Sequence, residues 1–212
     1  MIVSLSILNL DLNHLEEALK HLRYAPLLHM DIMDGNFVEN VSFDEKIVKR
    51  AAIANPCSVI DVHLMTINPG LLIEKYSKAG ADYITFHYET GNISENIEKI
   101  HNLKVKAGLS IKPETDVKVL IPYLHNIEYV LVMSVEPGKG GQSFMPSAIE
   151  KVKFLSEYKK EHDLHYVISI DGGINIETAG LVKDYVDIAV VGTAITKAPD
   201  PVKVFKEFIS LR

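Results

Sequence analysis

A histidine and an aspartate two residues apart, His29 and Asp31, are the first residues in the sequence whose types and spacing could do chemistry. Another histidine, His63, and another aspartate, Asp171, each end a short apolar run farther along the chain. Imidazole nitrogens and carboxylate oxygens together suit a divalent ion, with Zn²⁺ expected first and Fe²⁺, Mn²⁺ or Co²⁺ as alternatives. If these four side chains meet, they predict a site for one metal ion.

Each of the four residues also has an ordinary structural role. A lone histidine in a strand is usually a satisfied core residue, and Asp171, before Gly172 and Gly173, could cap a following helix. A single histidine–aspartate pair is therefore weak evidence. Four such residues at the ends of apolar runs favour one shared site.

Eight short apolar runs, rich in β-branched residues, must position these side chains. Their length is typical of buried parallel strands. Amphipathic patterns such as 12–22 and 149–162 lie between them and predict helices. The runs begin near Ile2, Leu27, Ser58, Tyr83, Lys106, Tyr129, Tyr166 and Asp187.

Strands that alternate with helices predict a parallel sheet with right-handed crossovers. Eight such units favour an α/β chain folded as one (β/α)8 TIM barrel domain over residues 1–212. An open doubly wound sheet is the competing fold, but the usual GxGxxG turn does not follow the first run. In a barrel, chemistry occurs at the carboxyl ends of the strands, where this sequence carries Ser6, Asn9, His29, Asp31, His63, His87, Lys112, Ser134, Asp171 and Gly192.

Charge and composition exclude several classes of function. A net charge of −6 argues against a nucleic-acid partner, since phosphate backbones require clustered Lys and Arg. A single cysteine, Cys57, cannot form an intrachain disulfide. The sequence has no basic leader and no apolar run of about 18 residues, so we expect a cytoplasmic enzyme without a membrane segment.

Several distinctive motifs lie between Ser6 and about Thr193. They are SILNLDL, HMDIMDGNFVEN, DVHLM followed by NPG, GLSIKPET, VLVMSVEPGKGGQSF and IDGGIN. In order and spacing these motifs resemble the ribulose-phosphate 3-epimerase family. The resemblance implies a ribulose-phosphate-binding barrel that converts D-ribulose 5-phosphate to D-xylulose 5-phosphate by inverting carbon 3. A small ketose phosphate is the implied partner, and a homo-oligomer is possible.

The resemblance also implies roles for individual residues. His29, Asp31, His63 and Asp171 match the ligands of one divalent metal, and the two aspartates match the groups that exchange protons at carbon 3. Inversion through a cis-enediolate needs one proton carrier on each face of the planar intermediate, and the two carriers swap roles with reaction direction. The sequence leaves open which aspartate is the base.

The implied substrate contacts fall into two groups. Residues around the reacting carbons are Ser6, His63, Met33, Met65 and Met133. Glycine-bearing turns after strands six, seven and eight would bind the phosphate through backbone N–H groups. These turns contribute Gly138, Gly140, Gly141, Gly172, Gly173, Gly192 and Thr193.

Some positions depart from the family pattern. Lys139 stands where the family commonly has an aromatic residue, and Asn36 and Glu39 stand where His and Pro are common. Leu5 replaces a usual Pro, and Thr193 replaces the more frequent Ser. These changes leave open a ketohexose 6-phosphate such as D-allulose 6-phosphate as the substrate.

Two other functions compete with epimerisation. A decarboxylase of the orotidine-phosphate kind needs a lysine in a DxKxxD pattern, whereas residues 31–36 read DIMDGN. A non-catalytic phosphosugar-binding barrel would be expected to lose a metal ligand or a proton-carrying aspartate, and all four residues are present. The epimerase is therefore favoured.

Overall fold

The computed structural model describes residues 1–21, 23 and 25–211. Eight parallel strands close into a barrel in chain order, each paired with the next and β8 paired with β1. The predicted (β/α)8 barrel is therefore confirmed. The strands are β1 Ile2–Ser6, β2 Leu27–Met33, β3 Val59–Met65, β4 Tyr83–His87, β5 Lys106–Ile111, β6 Tyr129–Met133, β7 Val167–Asp171 and β8 Ile188–Val191.

The α-helices surround this barrel and bury one face each against it. The predicted helix over 149–162 is α5, and the one over 12–22 divides into a 3-10 helix, Leu12–His14, and α1; its end, Leu22, lies outside the described residues. Among the described residues, no helix is long and apolar enough to cross a membrane. The helices are α1 Leu15–His21, α2 Glu45–Ala54, α3 Ile73–Lys78, α4 Ile93–Asn102, α5 Ser147–Glu161, α6 Ile176–Val182, α7 Thr193–Thr196 and α8 Pro201–Ser210.

The segment after β5 differs from the expected α-helix. It forms a 3-10 helix, Val117–Tyr123, that contains Pro122. Proline has no N–H to donate, and its ring clashes with the carbonyl four residues earlier in an α-helix. A more tightly wound helix therefore connects β5 to β6.

Side chains inside the barrel follow the two-residue period of the strands. Toward the amino ends of the strands the interior is largely apolar, with Leu27, Tyr129 and Ile188 buried together. Toward the carboxyl ends it becomes polar. Parallel pairing of β2 with β3 sets His29 beside Asp61 and Asp31 beside His63, so the polar residues of these two strands lie at matching heights.

Candidate metal and substrate site

The four residues predicted as metal ligands come together inside the barrel, toward the carboxyl ends of three strands. Asp171 ends β7 as expected, whereas β2 and β3 continue past their ligands to Met33 and Met65. Each of His29, Asp31, His63 and Asp171 offers a ligand atom, and these atoms all lie within 4.8 Å of one another. β2 contributes two of them and β3 and β7 one each. The two-residue spacing in β2 turns both of its side chains toward the barrel interior, as the sequence predicts.

The Asp31 carboxylate is the centre of the cluster. Its Oδ1 lies 3.2 Å from His29 Nε2 and 3.1 Å from His63 Nδ1, and its Oδ2 accepts a hydrogen bond from Ser6 Oγ at 3.3 Å. Asp171 Oδ2 lies 3.9 Å from the same His29 nitrogen. Both imidazoles are fully buried, whereas the side chain of Asp31 is 7% exposed and that of Asp171 is 18% exposed. The two carboxylates therefore face the open side of the cluster.

His29 is held in one orientation by Asp61. A carboxylate only accepts hydrogen bonds, so the contact of 2.8 Å between His29 Nδ1 and Asp61 Oδ2 places a proton on Nδ1. Tyr129 donates to the same carboxylate oxygen at 3.0 Å. The other nitrogen of His29 faces Asp31, where a positive charge, either a proton or a metal ion, must separate the two groups.

The two aspartates differ in proton affinity. Burial would raise the pKa of Asp31, but His29 and His63 outweigh that effect and hold it well below its usual range. Burial and the nearby Asp31 charge together raise the pKa of Asp171 to about 6. Burial would lower the pKa of His29, but Asp31 and Asp61 together raise it well above its ordinary value.

The donor set fits a divalent metal. Two imidazole nitrogens and two carboxylate oxygens with bonds of about 2.0–2.2 Å would lie about 3.4 Å apart around a tetrahedral ion. The measured separations of 3.1, 3.2 and 3.9 Å lie close to that value. Asp61 behind His29 is the kind of carboxylate partner that orients a metal-ligating histidine.

A pocket opens above this cluster at the mouth of the barrel. Asp31 and Asp171 reach its floor, while His29 and His63 lie buried beneath it. The other residues predicted to contact substrate all line it. They are Ser6, Met33, Met65, Met133, Gly138, Gly140, Gly141, Gly172, Gly173, Gly192 and Thr193.

The turn after β7 requires its glycines. Gly172 has a φ of +117°, and a Cβ on Gly173 would overlap the backbone of Phe144. Ser134 Oγ lies 2.9 and 2.7 Å from the carbonyl oxygens of Asp171 and Gly172 and fixes the turn to the end of β6. The turn therefore presents bare backbone to the pocket beside Asp171.

A second backbone turn follows β8, where Gly192 precedes α7. The Thr193 hydroxyl accepts a hydrogen bond from Asn9 Nδ2 at 3.1 Å. Its own proton is left available to another acceptor. The sequence analysis identified Asn9 only as a strand-end residue. In the structure its hydrogen bond connects the loop after β1 to this turn.

The loops after β2 and β6 meet across the mouth of the pocket. Asn40 Nδ2 donates to the carbonyl of Gly138 at 2.8 Å, and Lys139 Nζ lies 3.8 Å from Glu39 Oε2. A Cβ on Gly138 would come within 2.8 Å of Val38. Two of the departures from the family pattern, Glu39 and Lys139, are therefore paired with each other.

Three polar residues beside the cluster were not assigned to the site by sequence reasoning; Asp61 and His87 are buried, and the side chain of Glu89 is 22% exposed. Asp61 holds His29, and His87 and Glu89 extend from the far side of His63. Burial lowers the pKa of His87 to about 4; burial would raise that of Glu89, but its hydrogen bonds, led by the one to His87, hold it at about 2. One sequence feature could have identified them, namely that Asp61 and His63 in DVH, and His87 and Glu89 in HYE, are two residues apart. His29 and Asp31 have the same spacing.

The family model and the related sequences agree on one protein family. The model of the ribulose-phosphate 3 epimerase family matches residues 2–196. The ribulose-phosphate 3-epimerase of Schizosaccharomyces pombe is 39% identical over 181 residues, which cover 84% of this chain and 78% of that protein. The ribulose-phosphate 3-epimerase of Treponema pallidum is 37% identical over 193 residues, which cover 89% of this chain and 88% of that protein.

Comparison with solved structures concerns the fold alone. A crystal structure of 3-hexulose-6-phosphate synthase matches with a TM-score of 0.73 and 18% identity, covering 100% of this chain and 99% of that one. At that identity the two chains share the barrel, and the chemistry must be argued from the site residues.

Proposed function

The chain belongs to the ribulose-phosphate 3-epimerase family, and on that premise we propose that it interconverts D-ribulose 5-phosphate and D-xylulose 5-phosphate. The observation that carries the proposal is the pair Asp31 and Asp171, which reach one pocket from β2 and β7. These strands are separated by β8 and β1 around the closed barrel, so their carboxylates approach a bound molecule from different sides.

The metal ligands in this proposal are His29, Asp31, His63 and Asp171. A divalent ion held there would act as a Lewis acid that stabilises the negative charge developing on the substrate oxygens. Zn²⁺ is the first choice for two nitrogen and two oxygen donors, and Fe²⁺, Mn²⁺ and Co²⁺ suit the same set.

Proton transfer falls to the two aspartates. One carboxylate removes the proton of carbon 3, giving a planar cis-enediolate, and the other delivers a proton to the opposite face. The pKa of Asp171, raised to about 6 by burial and the nearby Asp31, suits a group that both gives and takes a proton near neutral pH. The Ser6 hydroxyl, 3.3 Å from Asp31 Oδ2, is placed to hydrogen-bond the substrate beside that carboxylate.

The methionines keep competing protons away from the intermediate. Met33, Met65 and Met133 line the pocket and are at most 5% exposed. Their thioethers are polarizable and carry no exchangeable proton. A planar anion between them would be reprotonated by the aspartates rather than by water.

The phosphate is assigned to the turns after β6, β7 and β8. Gly141, Gly172, Gly173 and Gly192 let the backbone approach closely, and the Thr193 proton is left available by the hydrogen bond from Asn9. Lys139 is the one cationic side chain among the described residues that line the pocket.

A ketohexose 6-phosphate is the second candidate substrate, and Lys139 is the observation that favours it. The family's usual aromatic residue at this position would make an apolar lid, whereas Lys139 pairs with Glu39 at the rim. A polar rim accommodates the additional hydroxyl-bearing carbon of a hexose more readily than an apolar one.

Metal-stripped protein, reloaded with Zn²⁺, tests the proposal in assays with D-ribulose 5-phosphate and D-allulose 6-phosphate. We expect activity to disappear on stripping, to return on reloading, and to be higher with the pentose. Faster turnover of the hexose would favour the second candidate. Full activity in protein shown by elemental analysis to be metal-free would refute the metal's role, and binding without turnover of either sugar would refute the epimerase.

A further inference from the structure

A chain of hydrogen bonds runs outward from His63, on the side away from the pocket. His63 Nε2 lies 2.9 Å from His87 Nε2, and His87 Nδ1 lies 3.1 Å from Glu89 Oε2. Both imidazoles are fully buried. The other Glu89 oxygen accepts from the backbone N–H of Lys112 at 2.8 Å and from the Thr115 hydroxyl.

The Glu89 carboxylate favours one direction of this chain when a metal ion lies between His63 Nδ1 and Asp31. Because a carboxylate only accepts, His87 must donate from Nδ1, and a neutral imidazole then has a bare Nε2. That bare nitrogen accepts a proton from His63 Nε2. His63 is thereby left with a bare Nδ1, the nitrogen that faces Asp31.

The opposite direction leaves two hydrogen-bond acceptors facing each other inside the protein. If His63 carried its proton on Nδ1, its Nε2 would be bare and His87 would have to donate from Nε2. The bare Nδ1 of His87 would then face the Glu89 carboxylate, acceptor against acceptor. The first direction leaves the bare Nδ1 of His63 facing the Asp31 carboxylate, and a metal ion between those two groups resolves that contact. The opposite direction offers the metal no bare nitrogen and leaves its own conflict unresolved, so metal binding selects the first direction.

We infer that His87 and Glu89 are positioning residues that keep Nδ1 of His63 unprotonated and aimed at the metal site. They act as Asp61 does for His29, but through an intervening imidazole. Partners of this kind typically contribute about 10–100-fold to metal affinity. The inference rests on the proposed metal site.

The loop that supplies Glu89 with donors is itself anchored. Lys151 Nζ on α5 donates to the carbonyl oxygens of Lys112, Pro113 and Thr115 at 3.0, 2.7 and 2.7 Å. The position of the Glu89 carboxylate is thus fixed from β5 and α5 rather than by its own short 3-10 helix, Tyr88–Thr90.

The substitution Glu89→Gln should reverse the direction of the hydrogen bonds between residue 89, His87 and His63 without moving these side chains. The backbone N–H of Lys112 and the Thr115 hydroxyl would hold the amide oxygen, so the amide N–H would face His87 Nδ1. His87 would then donate from Nε2, and the proton of His63 would move to Nδ1 and block the metal.

The experiment measures the dissociation constant of Co²⁺ with metal-free protein and the protonated nitrogen of His63 by ¹⁵N NMR. We expect Glu89→Gln to weaken Co²⁺ binding by about 10–100-fold and, in the metal-free protein, to raise the fraction of His63 that is protonated at Nδ1 above that of wild type. Glu114→Gln, which removes an exposed carboxylate from the adjoining loop, is the matched control and should bind as the wild type does.

Two variants at His87 keep the test decisive if Glu89→Gln folds poorly. His87→Gln can still accept from His63 and donate to Glu89, so its Co²⁺ affinity should stay near wild type, whereas His87→Leu should weaken it. Equal Co²⁺ affinity in Glu89→Gln, His87→Leu and wild type would overturn the inference while leaving the proposed metal site intact. A wild-type protein that binds no Co²⁺ would overturn both.

Discussion

Asp31 and Asp171 have the same side chain, but their surroundings in the barrel shift their pKa values in opposite directions. Asp31 lies between two imidazoles that lower its pKa, whereas burial and the neighbouring Asp31 charge raise the pKa of Asp171 to about 6. The difference comes from strand position, since β2 and β3 deliver both histidines to the same carboxylate. Two carboxylates with separated proton affinities are a recurring arrangement for acid–base work.

The first prediction concerns the two carboxylates. Asp171→Asn and Asp31→Asn should each lower kcat by about 10²–10⁴-fold, because each removes one proton carrier. Steady-state kinetics with D-ribulose 5-phosphate measures this, with the bound metal quantified in the same samples. A variant that keeps its metal and turns over at the wild-type rate would remove that residue from the mechanism.

The second prediction concerns protons released by metal binding. The pKa of His29 is raised well above its ordinary value by Asp31 and Asp61, so its ring carries an additional proton in the metal-free protein at neutral pH. A metal must displace that proton, and below a pH of about 6 it must also displace one from Asp171. Metal affinity should therefore rise with pH.

Calorimetry in buffers of different ionisation enthalpy measures the number of protons released. We expect at least one proton per metal ion near neutral pH and more as the pH falls through 6, the region where Asp171 becomes protonated. An affinity and a binding enthalpy that are independent of pH and buffer would contradict the electrostatics of the cluster.

At the scale of secondary-structure elements, two loops form the rim of the site. The loop after β2 and the loop after β6 meet through Asn40 and Gly138 and through Glu39 and Lys139. The ion pair is largely exposed and contributes little stability, because water and salt screen it. Because Lys139 also lines the pocket, we propose that it acts in binding an anionic substrate rather than in folding.

The third prediction follows from that position. Lys139→Ala should raise KM for a ketose phosphate by about two- to fivefold, as expected for one exposed cation, with little change in kcat or unfolding free energy. Kinetics at low and high salt measures the effect, which should shrink at high salt. Lys160→Ala, an exposed change on α5, is the control. A lower kcat with unchanged KM would assign Lys139 to a later step.

Much at this scale was predictable from the sequence. The apolar runs predicted the observed first residues of β4 and β5, Tyr83 and Lys106, and the two-residue period predicted that His29 and Asp31 share a face. Contacts across strands were not predictable, because they depend on the stagger of the barrel. His29 with Asp61 and His63 with His87 are of this kind.

The rim was less predictable than the floor of the site. Glu39 and Lys139 were recognised singly as unusual, but residues far apart in sequence meet only when two loops converge. The 3-10 helix after β5 was also missed, although Pro122 marks where an α-helix would fail.

The whole molecule is acidic, with a net charge of −6, yet the proposed substrate is an anion. Binding must therefore depend on local features, which are the glycine-bearing turns, Lys139 and a metal ion at the barrel mouth. The barrel supports this by bringing residues from β1 to β8 to one end. Metal binding should then stabilise the entire fold, since the ligands come from three strands.

The fourth prediction is that stabilisation. A metal ion at 100 times its dissociation constant adds about 2.7 kcal/mol to the unfolding free energy, or about 5–10 °C in Tm for a chain of this size. Scanning calorimetry with Zn²⁺ and with a chelator measures the difference. Asp31→Asn, which removes the central ligand, should show a much smaller shift. Identical Tm values for wild type in both conditions would contradict a resident metal.

The fate of the hydrogen at carbon 3 most directly tests inversion by two opposed carboxylates. D-ribulose 5-phosphate is converted in D₂O, and the first D-xylulose 5-phosphate formed is analysed by NMR and mass spectrometry. We predict one solvent deuteron at carbon 3 of every product molecule, with product formation lost in Asp31→Asn and Asp171→Asn and any remaining exchange confined to the epimer whose hydrogen faces the aspartate that is left. Product that retains the original protium, or turnover that persists in both variants, would contradict the two-carboxylate mechanism.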